Sequence, residues 1–178
     1  MSESTLILNS IALQRALTRI AHEVAERNEK STDVVLVGIQ RGGVALAARL
    51  AKLLSGIWDQ NVPVGSVDVS MHRDDLAQTI APKVHPTSIP FDLEGKIVVL
   101  VDDVLFSGRT VRAALDSLND FGRPKQIQLA VLIDRGHREL PIKADFVGKN
   151  VPTALGEKIV VRVQEEAGND EVTLEKIK

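Results

Sequence analysis

The sequence predicts an α/β domain in which helices flank a central, mostly parallel sheet. Apolar runs typical of strands alternate with amphipathic segments typical of helices between residues 33 and 134, the order that builds parallel sheets. The chain has 178 residues, of which 44% are hydrophobic but only 3% aromatic. Val, Leu, Ile and Ala must therefore fill the core. We expect one domain over residues 1–178.

Composition excludes several classes of protein. The net charge of -2 excludes a globally basic nucleic-acid binder, although a local basic face is still possible. Without cysteine, the chain has neither disulfides nor thiolate chemistry. Residues 1–10 lack the basic start and apolar run of a signal peptide, and no apolar run approaches the roughly 20 residues of a membrane span. We expect a cytoplasmic protein that does not enter a membrane.

The first half of the chain predicts helix, strand, helix and strand in turn. Residues 11–28 form an amphipathic helix with Asn9 and Ser10 as caps, because Leu13, Leu17, Ile20 and Val24 recur at helical spacing. The other predicted elements are a strand at 33–39, a helix at 44–54 that ends near Gly56, and a half-buried strand at 67–71.

The second half predicts the rest of the sheet and a terminal hairpin. The strongest strand is KIVVLVDD at 96–103, followed by a helix at 109–120. Further strands are predicted at 127–134 and 144–149. The segments KIVVRVQEE and EVTLEK form a hairpin that turns at residues 167–170.

Three unusual segments follow predicted strands, where open α/β sheets bind ligands. They are GIQRGG at 38–43, DDVLFSGRT at 102–110 and DRGHRELPIKADF at 134–146. A fourth segment, residues 72–92, is long and polar, and a loop of that length is typical of a functional lid.

The segment DDVLFSGRT predicts a site for a phosphorylated sugar. Residues 106–110 enter a helix, whose first N–H groups attract anions, and Gly108 allows a tight turn. Asp102 and Asp103 repel a phosphate, but they suit hydroxyl groups or a divalent cation. A ribose 5-phosphate meets both demands. The alternative is that Asp102 ends a strand and Ser107 caps a helix, which explains each residue but not the whole string.

The string VVLVDDVLFSGRT resembles the 13-residue signature of type I phosphoribosyltransferases. Segments at 16–24, 73–76, 122–153 and 156–161 resemble one subfamily, the bifunctional pyrimidine operon attenuation regulators and uracil phosphoribosyltransferases. The resemblance covers nearly the whole chain. It implies the type I phosphoribosyltransferase fold, with a flexible lid at about 72–92, a small hood at about 134–155 and a C-terminal β hairpin.

The resemblance also implies an activity and a catalytic site. Uracil and 5-phosphoribosyl-1-pyrophosphate would give UMP and pyrophosphate, with Mg²⁺ as cofactor. Asp102, Asp103 and Arg73 would be catalytic, and the two aspartates would hold the metal through water. The ribose 5-phosphate would contact Asp102, Asp103, Val104, Leu105, Phe106, Ser107, Gly108, Arg109 and Thr110.

Two further sets of ligand contacts are implied by the resemblance. Pyrophosphate would contact Gln40, Arg41, Gly42 and Arg73. The base would contact Asp134, Arg135, His137, Phe146 and Val147, although a core position for Phe146 is an equal alternative. The chain departs from the subfamily at residues 41–43, Arg-Gly-Gly instead of Thr-Arg-Gly, and at His72, which replaces a tyrosine.

The helix at 11–28 has a second, polar face. Arg15, Arg19 and His22 lie roughly opposite the apolar stripe at 100° per residue. The resemblance implies that a regulatory surface binds the leader mRNA of pyrimidine genes, and that the chain forms a homo-oligomer. The implied RNA contacts are Thr18, Arg19, His22, Arg27, Arg138, Lys143 and Lys149.

Four alternatives compete with this interpretation. The chain could be a regulator without turnover, or an enzyme without RNA regulation. It could be a receiver domain, which also uses adjacent acids after a strand, although the phosphate-binding turn and the lid argue against that class. It could also transfer the sugar to another base, such as hypoxanthine.

Overall fold

The computed structural model describes residues 4–29, 32–70 and 85–176, and its helices and strands alternate as the sequence predicts. The first half holds β1 (Ser4–Leu8), α1 (Ser10–Arg27), β2 (Val34–Ile39), α2 (Gly42–Trp58) and β3 (Val64–Val67). The second half holds β4 (Ile97–Leu105), α3 (Arg109–Leu118), β5 (Gln126–Asp134), β6 (Phe146–Asn150), β7 (Glu157–Arg162), α4 (Gln164–Ala167) and β8 (Glu171–Lys176).

Two sheets form from these strands. The central sheet has five parallel strands in the order β3-β2-β4-β5-β6. A smaller antiparallel sheet has the order β1-β8-β7. The predicted parallel sheet, flanking helices and C-terminal hairpin are therefore confirmed. None of the described helices combines the length and apolar character of a bilayer span.

The core lies on both faces of the central sheet, because successive side chains of a strand point to opposite faces. Leu36 of β2 packs with residues of α1 and α2 on one face. Its neighbour Val37 packs with residues of α3 on the other face. The low aromatic content is reflected in these clusters, which consist mostly of Val, Leu, Ile and Ala.

Residues next to the helices explain where α1 begins and where α2 ends. Asn9 caps α1, since its Oδ1 accepts a hydrogen bond from Ala12 N at 2.9 Å. The helix predicted to end near Gly56 continues to Trp58 and ends where Asp59 adopts a left-handed conformation with φ 50°.

Three predicted elements are corrected. The strand expected at 67–71 lies earlier, at Val64–Val67, because Asp68 turns the chain by accepting a hydrogen bond from Ser70 N at 2.9 Å. The first hairpin strand ends at Arg162, and α4 occupies part of the connection. β1 was missed, since its pairing with β8 joins residues about 170 apart in the chain.

Parallel pairing brings the ends of four strands to one edge. Gly38 of β2 pairs with Val101 of β4, Leu105 with Asp134 of β5, and Asp134 with Asn150 of β6. The predicted ligand segments follow these strands, so the fold places them side by side. The predicted lid falls largely on residues 71–84, which lie outside the described residues, as do His72 and Arg73.

Candidate active site

Asp102 and Asp103 lie near the end of β4 and are held by backbone amides. Asp103 N donates a hydrogen bond to Asp102 Oδ1 at 2.9 Å, and Val104 N donates to Asp103 Oδ1 at 2.7 Å. Asp102 is buried, with 6% of its surface exposed, whereas Asp103 is half-buried. A backbone hydrogen bond therefore favours one orientation of each carboxylate.

The turn after β4 forms a small pocket beside Asp102. Gly108 has φ +91°, a left-handed conformation that favours glycine, and α3 begins at the next residue. The first amides of α3 have no partner within the helix, so they can bind an anion. The pocket is lined by Asp102, Val104, Leu105, Phe106, Ser107, Gly108, Thr110 and Val111.

The segment after β2 packs directly against the end of β4. A Cβ atom on Gly42 would lie 2.2 Å from Asp103 Oδ2, and a Cβ on Gly43 would lie 2.1 Å from the carbonyl oxygen of Val101. The backbone of Val101 excludes any side chain at Gly43, whereas a side chain at Gly42 would have to displace the Asp103 carboxylate. Asp103 therefore packs against the predicted pyrophosphate segment, next to Asp102, which lines the pocket at the turn after β4.

Gln40 and Arg41 lie next to this contact. Gln40 N donates a hydrogen bond to Val67 O at 2.9 Å, which ties the segment to β3, and the Gln40–Arg41 peptide bond is cis. The side chain of Arg41 is 61% exposed, with its Nη2 3.9 Å from Glu166 Oε2 of α4. Its guanidinium group is thus accessible to an anionic ligand.

A second pocket lies at the ends of β5 and β6. Its lining residues are Asp134, Arg135, Gly136, His137, Arg138, Asn150, Pro152 and Thr153. The chain turns sharply there, since Gly136 and His137 both have positive φ, at 79° and 63°. Gly136 N donates to Asp134 Oδ1 at 3.0 Å, which stabilises the turn.

Arg135 links this second pocket to the turn after β4. Its guanidinium carbon lies 4.1 Å from the ring centroid of Phe106, within the range of a cation–π contact. Its Nε donates to Thr153 Oγ1 at 2.9 Å, and its Nη2 donates to Ala154 O at 3.2 Å. Burial lowers the pKa of Arg135, and the negative charge of Glu157 partly offsets this effect.

Arg138 makes a second link between the pockets. Its Nη1 donates to Phe106 O at 2.9 Å, its Nη2 pairs with Asp134 Oδ2 at 2.5 Å, and its Nε donates to Ile142 O at 2.8 Å. The ring of His137 makes an edge contact with Phe106, and Nε2 of His137 forms a hydrogen bond with the carbonyl of Thr153. Residues of the second pocket therefore contact Phe106, which lines the first pocket.

Comparison with known proteins establishes the family. A model of the phosphoribosyl transferase domain matches residues 5–166. The Bifunctional protein PyrR of Chloroflexus aurantiacus is 57% identical over 175 residues, which is 98% of this chain and 96% of the relative. The Bifunctional protein PyrR of Roseiflexus is 61% identical over 163 residues, 91% of this chain and 89% of the relative. The chain belongs to the PyrR family of phosphoribosyltransferases.

Solved structures support the same fold for this PyrR family member. A hypoxanthine phosphoribosyltransferase of Trypanosoma cruzi, in a ternary substrates complex, superposes with a TM-score of 0.76. The superposition covers 98% of this chain and 96% of that chain, with 18% sequence identity. Identity this low shows the fold alone.

The structure places Phe146 in the core, which is one of the two alternatives for this residue. Phe146 is only 2% exposed and packs in the core on the side of α1, with the guanidinium of Arg27 5.7 Å from its ring centroid. Its ring has no open face for a base. Val147 is half-buried and lies three residues before the end of β6, short of the second pocket.

Sequence reasoning also missed part of the second pocket. Asn150, Pro152 and Thr153 line it, although none of them was singled out. The available signal was the strand at 144–149, because residues that follow a parallel strand reach the ligand edge of the sheet. The exposed aromatic ring at this edge belongs to Phe106, which is 37% exposed.

The helix residues predicted to bind RNA lie where α1 packs against β6. His22 is exposed, and Thr18 is half-buried with its Oγ1 donating to Gln14 O at 2.9 Å. Arg19 reaches the carbonyls of Val147, at 3.3 Å, and Gly148. Arg27 pairs with Asp145 Oδ1 at 2.7 Å.

The remaining predicted RNA residues fall into two places. Lys149 of β6 joins the helix residues, with its Nζ 3.5 Å from the carbonyl oxygen of Ile7. Arg138 is instead anchored beside the turn after β4, and Lys143 is exposed just beyond it. The structure thus brings Arg19, Arg27 and Lys149 together and leaves Arg138 in the second pocket.

Proposed function

We propose that the chain transfers the phosphoribosyl group of 5-phosphoribosyl-1-pyrophosphate to uracil, giving UMP and pyrophosphate, and that it also binds leader mRNA of pyrimidine genes in response to UMP. Membership of the PyrR family supports both activities. The observation that carries the enzyme proposal is the position of Asp103. This carboxylate packs against Gly42 of the segment after β2, and the preceding residue, Asp102, lines the pocket at the turn after β4.

The turn at 106–110 is the proposed site of the ribose 5-phosphate. Ser107 and Thr110 supply hydroxyl donors to the pocket, and the first amides of α3 supply N–H donors. Arg109 adds positive charge, and its Nε is 2.6 Å from Glu139 Oε2. Binding energy from this remote phosphate positions the reacting carbon, which is how a non-reacting group raises turnover.

Asp102 and Asp103 are the proposed contacts of the ribose hydroxyls and of the charge that develops on the ring. The C1–pyrophosphate bond lengthens as positive charge builds on the sugar, so fixed carboxylates stabilise the transition state. An ionised carboxylate accepts hydrogen bonds from hydroxyl groups through its two oxygens. The backbone amides that hold both side chains keep this negative charge pre-oriented.

The two carboxylates suit Mg²⁺ if water and substrate oxygens supply the other ligands of the ion. Among the described residues, no group of three or more His, Asp or Glu side chains is placed to hold a metal. Two carboxylates with remaining ligands from water and substrate oxygens are the arrangement that Mg²⁺ usually takes. When bound, the ion would neutralise charge on the departing pyrophosphate.

Residues 40–42 are the proposed pyrophosphate contacts. The exposed guanidinium of Arg41 supplies positive charge, and glycine at position 42 lets this segment pack closely against Asp103. Arg73 remains part of this proposal, although it lies outside the described residues. Excluding water from this region protects the activated sugar from hydrolysis.

The pocket between β5 and β6 is the proposed site of the base. Asp134 and the backbone near Thr153 offer the acceptors and donors that the amide-like edges of uracil require. Arg135 and His137 both contact Phe106, which also lines the phosphate pocket. A nucleotide that spans both pockets would therefore bind residues that also contact one another.

The α1–β6 surface is the proposed RNA site. Arg19, Arg27 and Lys149 lie within reach of β6 although they are far apart in the sequence, and His22 is exposed on the same helix. RNA loops are bound through phosphate contacts and shape, which a cluster of cations with hydrogen-bonding neighbours can provide. Two chains would double this surface, and the exposed apolar residues Leu6 and Ile11 support a homo-oligomer.

A turnover assay with a panel of bases tests the enzyme proposal. Wild-type protein with 5-phosphoribosyl-1-pyrophosphate and Mg²⁺ should release pyrophosphate with uracil faster than with hypoxanthine or guanine. Asp103→Asn should keep its fold and lose most turnover. The control is Asp116→Asn on α3, whose side chain is 58% exposed and pairs only weakly, at 4.0 Å, with Arg112. Faster turnover with hypoxanthine would reject uracil as the substrate.

Titration of a labelled leader RNA tests the second activity. UMP should tighten binding, and His22→Ala and Lys149→Gln should weaken it without changing pyrophosphate release. Affinity should fall steeply with salt, since phosphate contacts release counterions. RNA affinity that is independent of UMP and of both substitutions would reject the proposed surface. Light scattering on the same samples measures the oligomer.

A further inference from the structure

The carbonyl groups of the turn after β4 face the segment that follows β5. The amides of Glu139 and Leu140 both donate hydrogen bonds to Ser107 O, at 2.9 and 3.1 Å. Nη1 of Arg138 donates to the preceding carbonyl, Phe106 O, at 2.9 Å. Two successive carbonyls of the turn are therefore held on one side by three consecutive residues.

The direction of these carbonyls sets the direction of two N–H groups. The peptide bonds 106–107 and 107–108 are trans, and in a trans peptide the C=O and N–H groups point in opposite directions. The N–H groups of Ser107 and Gly108 therefore both point away from residues 138–140. Successive N–H groups that point to one side form a concave site for an anion. Ser107 and Gly108 both line the pocket proposed for the 5-phosphate.

Glu139 also holds the side chain that follows this turn. Its Oε2 accepts a hydrogen bond from Nε of Arg109 at 2.6 Å. The side chain of Arg109 is 33% exposed and that of Glu139 is 54% exposed, and neither residue lines the phosphate pocket. Glu139 thus binds the turn twice from outside the pocket, at Ser107 through its amide and at Arg109 through its carboxylate.

Apolar side chains from the same segment pack against the turn. A Cβ atom on Gly108 would lie 3.3 Å from Cβ of Ile142 and 3.5 Å from Cβ of Leu140. The turn therefore has little room to shift towards these two side chains. Packing limits its movement in that direction, and the hydrogen bonds to residues 138–140 limit its movement in the opposite direction.

We propose that Glu139 is a positioning residue for phosphate binding: it holds the turn from outside the pocket, so that the N–H groups of Ser107 and Gly108 face the 5-phosphate. This inference rests on the proposed function, in which that turn binds the phosphate of UMP and of 5-phosphoribosyl-1-pyrophosphate. Glu139 touches no ligand atom in this scheme. Its negative charge alone would repel a phosphate, so position and charge predict opposite effects of removing the side chain.

Two substitutions of Glu139 separate position from charge. Glu139→Ala should weaken UMP binding by about threefold, the size expected for a partly exposed ion pair, because the backbone bonds to Ser107 O remain. Glu139→Gln removes the charge but keeps an acceptor oxygen for Nε of Arg109, so it should bind UMP nearly as tightly as wild type. Titration calorimetry measures UMP affinity. KM for uracil and the melting temperature should stay near their wild-type values in both variants.

A double-mutant cycle tests the pair itself. Arg109→Ala should also weaken UMP binding, and adding Glu139→Ala should weaken it little further, because both changes break one contact. Additive losses would contradict a role that acts through Arg109.

Glu175→Ala is the matched control. Oε1 of Glu175 lies 3.1 Å from Nη2 of Arg162, so this ion pair also joins two segments, but it does so between β8 and β7 of the smaller sheet. UMP affinity should be the same in this variant as in wild type. A loss equal to that of Glu139→Ala would show a general effect of removing an ion pair and would overturn the positioning role.

The remaining outcomes separate this inference from the proposed function. Tighter UMP binding in Glu139→Ala and in Glu139→Gln would show that the carboxylate only repels the phosphate, and unchanged binding in Glu139→Ala would show that the contact is idle. Either result would overturn the positioning role alone. A wild type that binds UMP but transfers no base would overturn the enzyme proposal and leave the positioning role standing, whereas a wild type that does not bind UMP would overturn both.

Discussion

The carboxylate of Asp103 occupies the space that a side chain on Gly42 would need. A Cβ atom there would lie 2.2 Å from Asp103 Oδ2 and 2.3 Å from Cγ. The first residue of α2 and Asp103 of β4 are thus in direct contact, although they lie 61 positions apart in the sequence. The start of α2 packs against this carboxylate, so a side chain added at Gly42 must displace Asp103 or the start of α2.

The first prediction concerns this contact. Gly42→Ala should lower kcat by at least about tenfold, because the new methyl group must displace the Asp103 carboxylate or the start of α2. The free energy of unfolding should change much less than the activity, since the side chain of Asp103 is half-buried and can rotate towards solvent. Turnover and urea denaturation of the same samples measure both effects.

Gly56→Ala is the control for that experiment. Gly56 lies in the same helix, and a Cβ placed on it meets no atom within 4 Å. Alanine should leave turnover unchanged and stabilise α2 by up to about 1 kcal/mol, since alanine is the better helix former. Equal kinetics for the two alanine variants would contradict the importance of the Gly42–Asp103 contact.

The second prediction separates catalysis from RNA binding. Arg138→Gln should lower turnover, because it breaks the bonds from the guanidinium to Phe106 O and Asp134 that connect the two pockets. Lys143→Gln, at an exposed position nearby, should leave turnover unchanged and weaken only RNA binding. Pyrophosphate release and RNA titration are measured on both variants. Normal turnover in Arg138→Gln would contradict the proposed link between the pockets.

The third prediction concerns the ion pairs between α2 and the C-terminal hairpin. Arg49 donates bidentate hydrogen bonds to Glu165, at 2.8 and 2.6 Å, and to Asp170, at 2.8 Å from both nitrogens. Arg49→Met should lower the free energy of unfolding by about 1–3 kcal/mol at neutral pH. Most of this loss comes from Asp170, whose side chain is 17% exposed, since the Glu165 side chain is 48% exposed and solvent screens it.

The same ion pairs predict a pH dependence. Hydrogen bonds from Arg49 lower the pKa of Glu165 and Asp170 below their ordinary values of 4.5 and 3.8. Stability from a lowered carboxyl pKa is complete above the ordinary value and is lost as the pH falls through the folded-state value. The difference between wild type and Arg49→Met should therefore shrink as the pH falls below about 4. Arg112→Met, which removes an exposed pair, should show no such trend.

The fourth prediction concerns a buried pair of amides. Asn28 Nδ2 donates to Gln128 Oε1, and Gln128 Nε2 donates to Asn28 Oδ1, both at 2.8 Å. Gln128→Leu should lower the free energy of unfolding by about 1–3 kcal/mol, because the buried Asn28 Oδ1 loses its donor, while Asn28 Nδ2 keeps its bond to Val24 O at 2.9 Å. Adding Asn28→Leu should cost less than the sum of the single changes, and additive losses in chemical denaturation would contradict the coupling.

Much of the fold was readable from local pattern. The buried strands at 34–39, 97–105 and 126–134 stand out because parallel strands covered on both faces are continuously apolar. β1 could not be predicted, since its residues read as strand only once β8 is beside them. The strand before Asp68 was placed too late, because alternating polarity continues past the turn that the Asp68 side chain makes.

The sequence by itself determined the chemistry of this protein: two acids, a glycine turn and a helix start follow one buried strand, and covalent neighbours must stay together in any fold. Only the tertiary structure decided which distant residues join them. It buried Phe146 in the core, set Asp103 against Gly42, and closed residues 66–70 onto 85–88 through Asp68. The reason is physical: periodicity shows that a side chain is buried, but strand order and register determine what it is buried against.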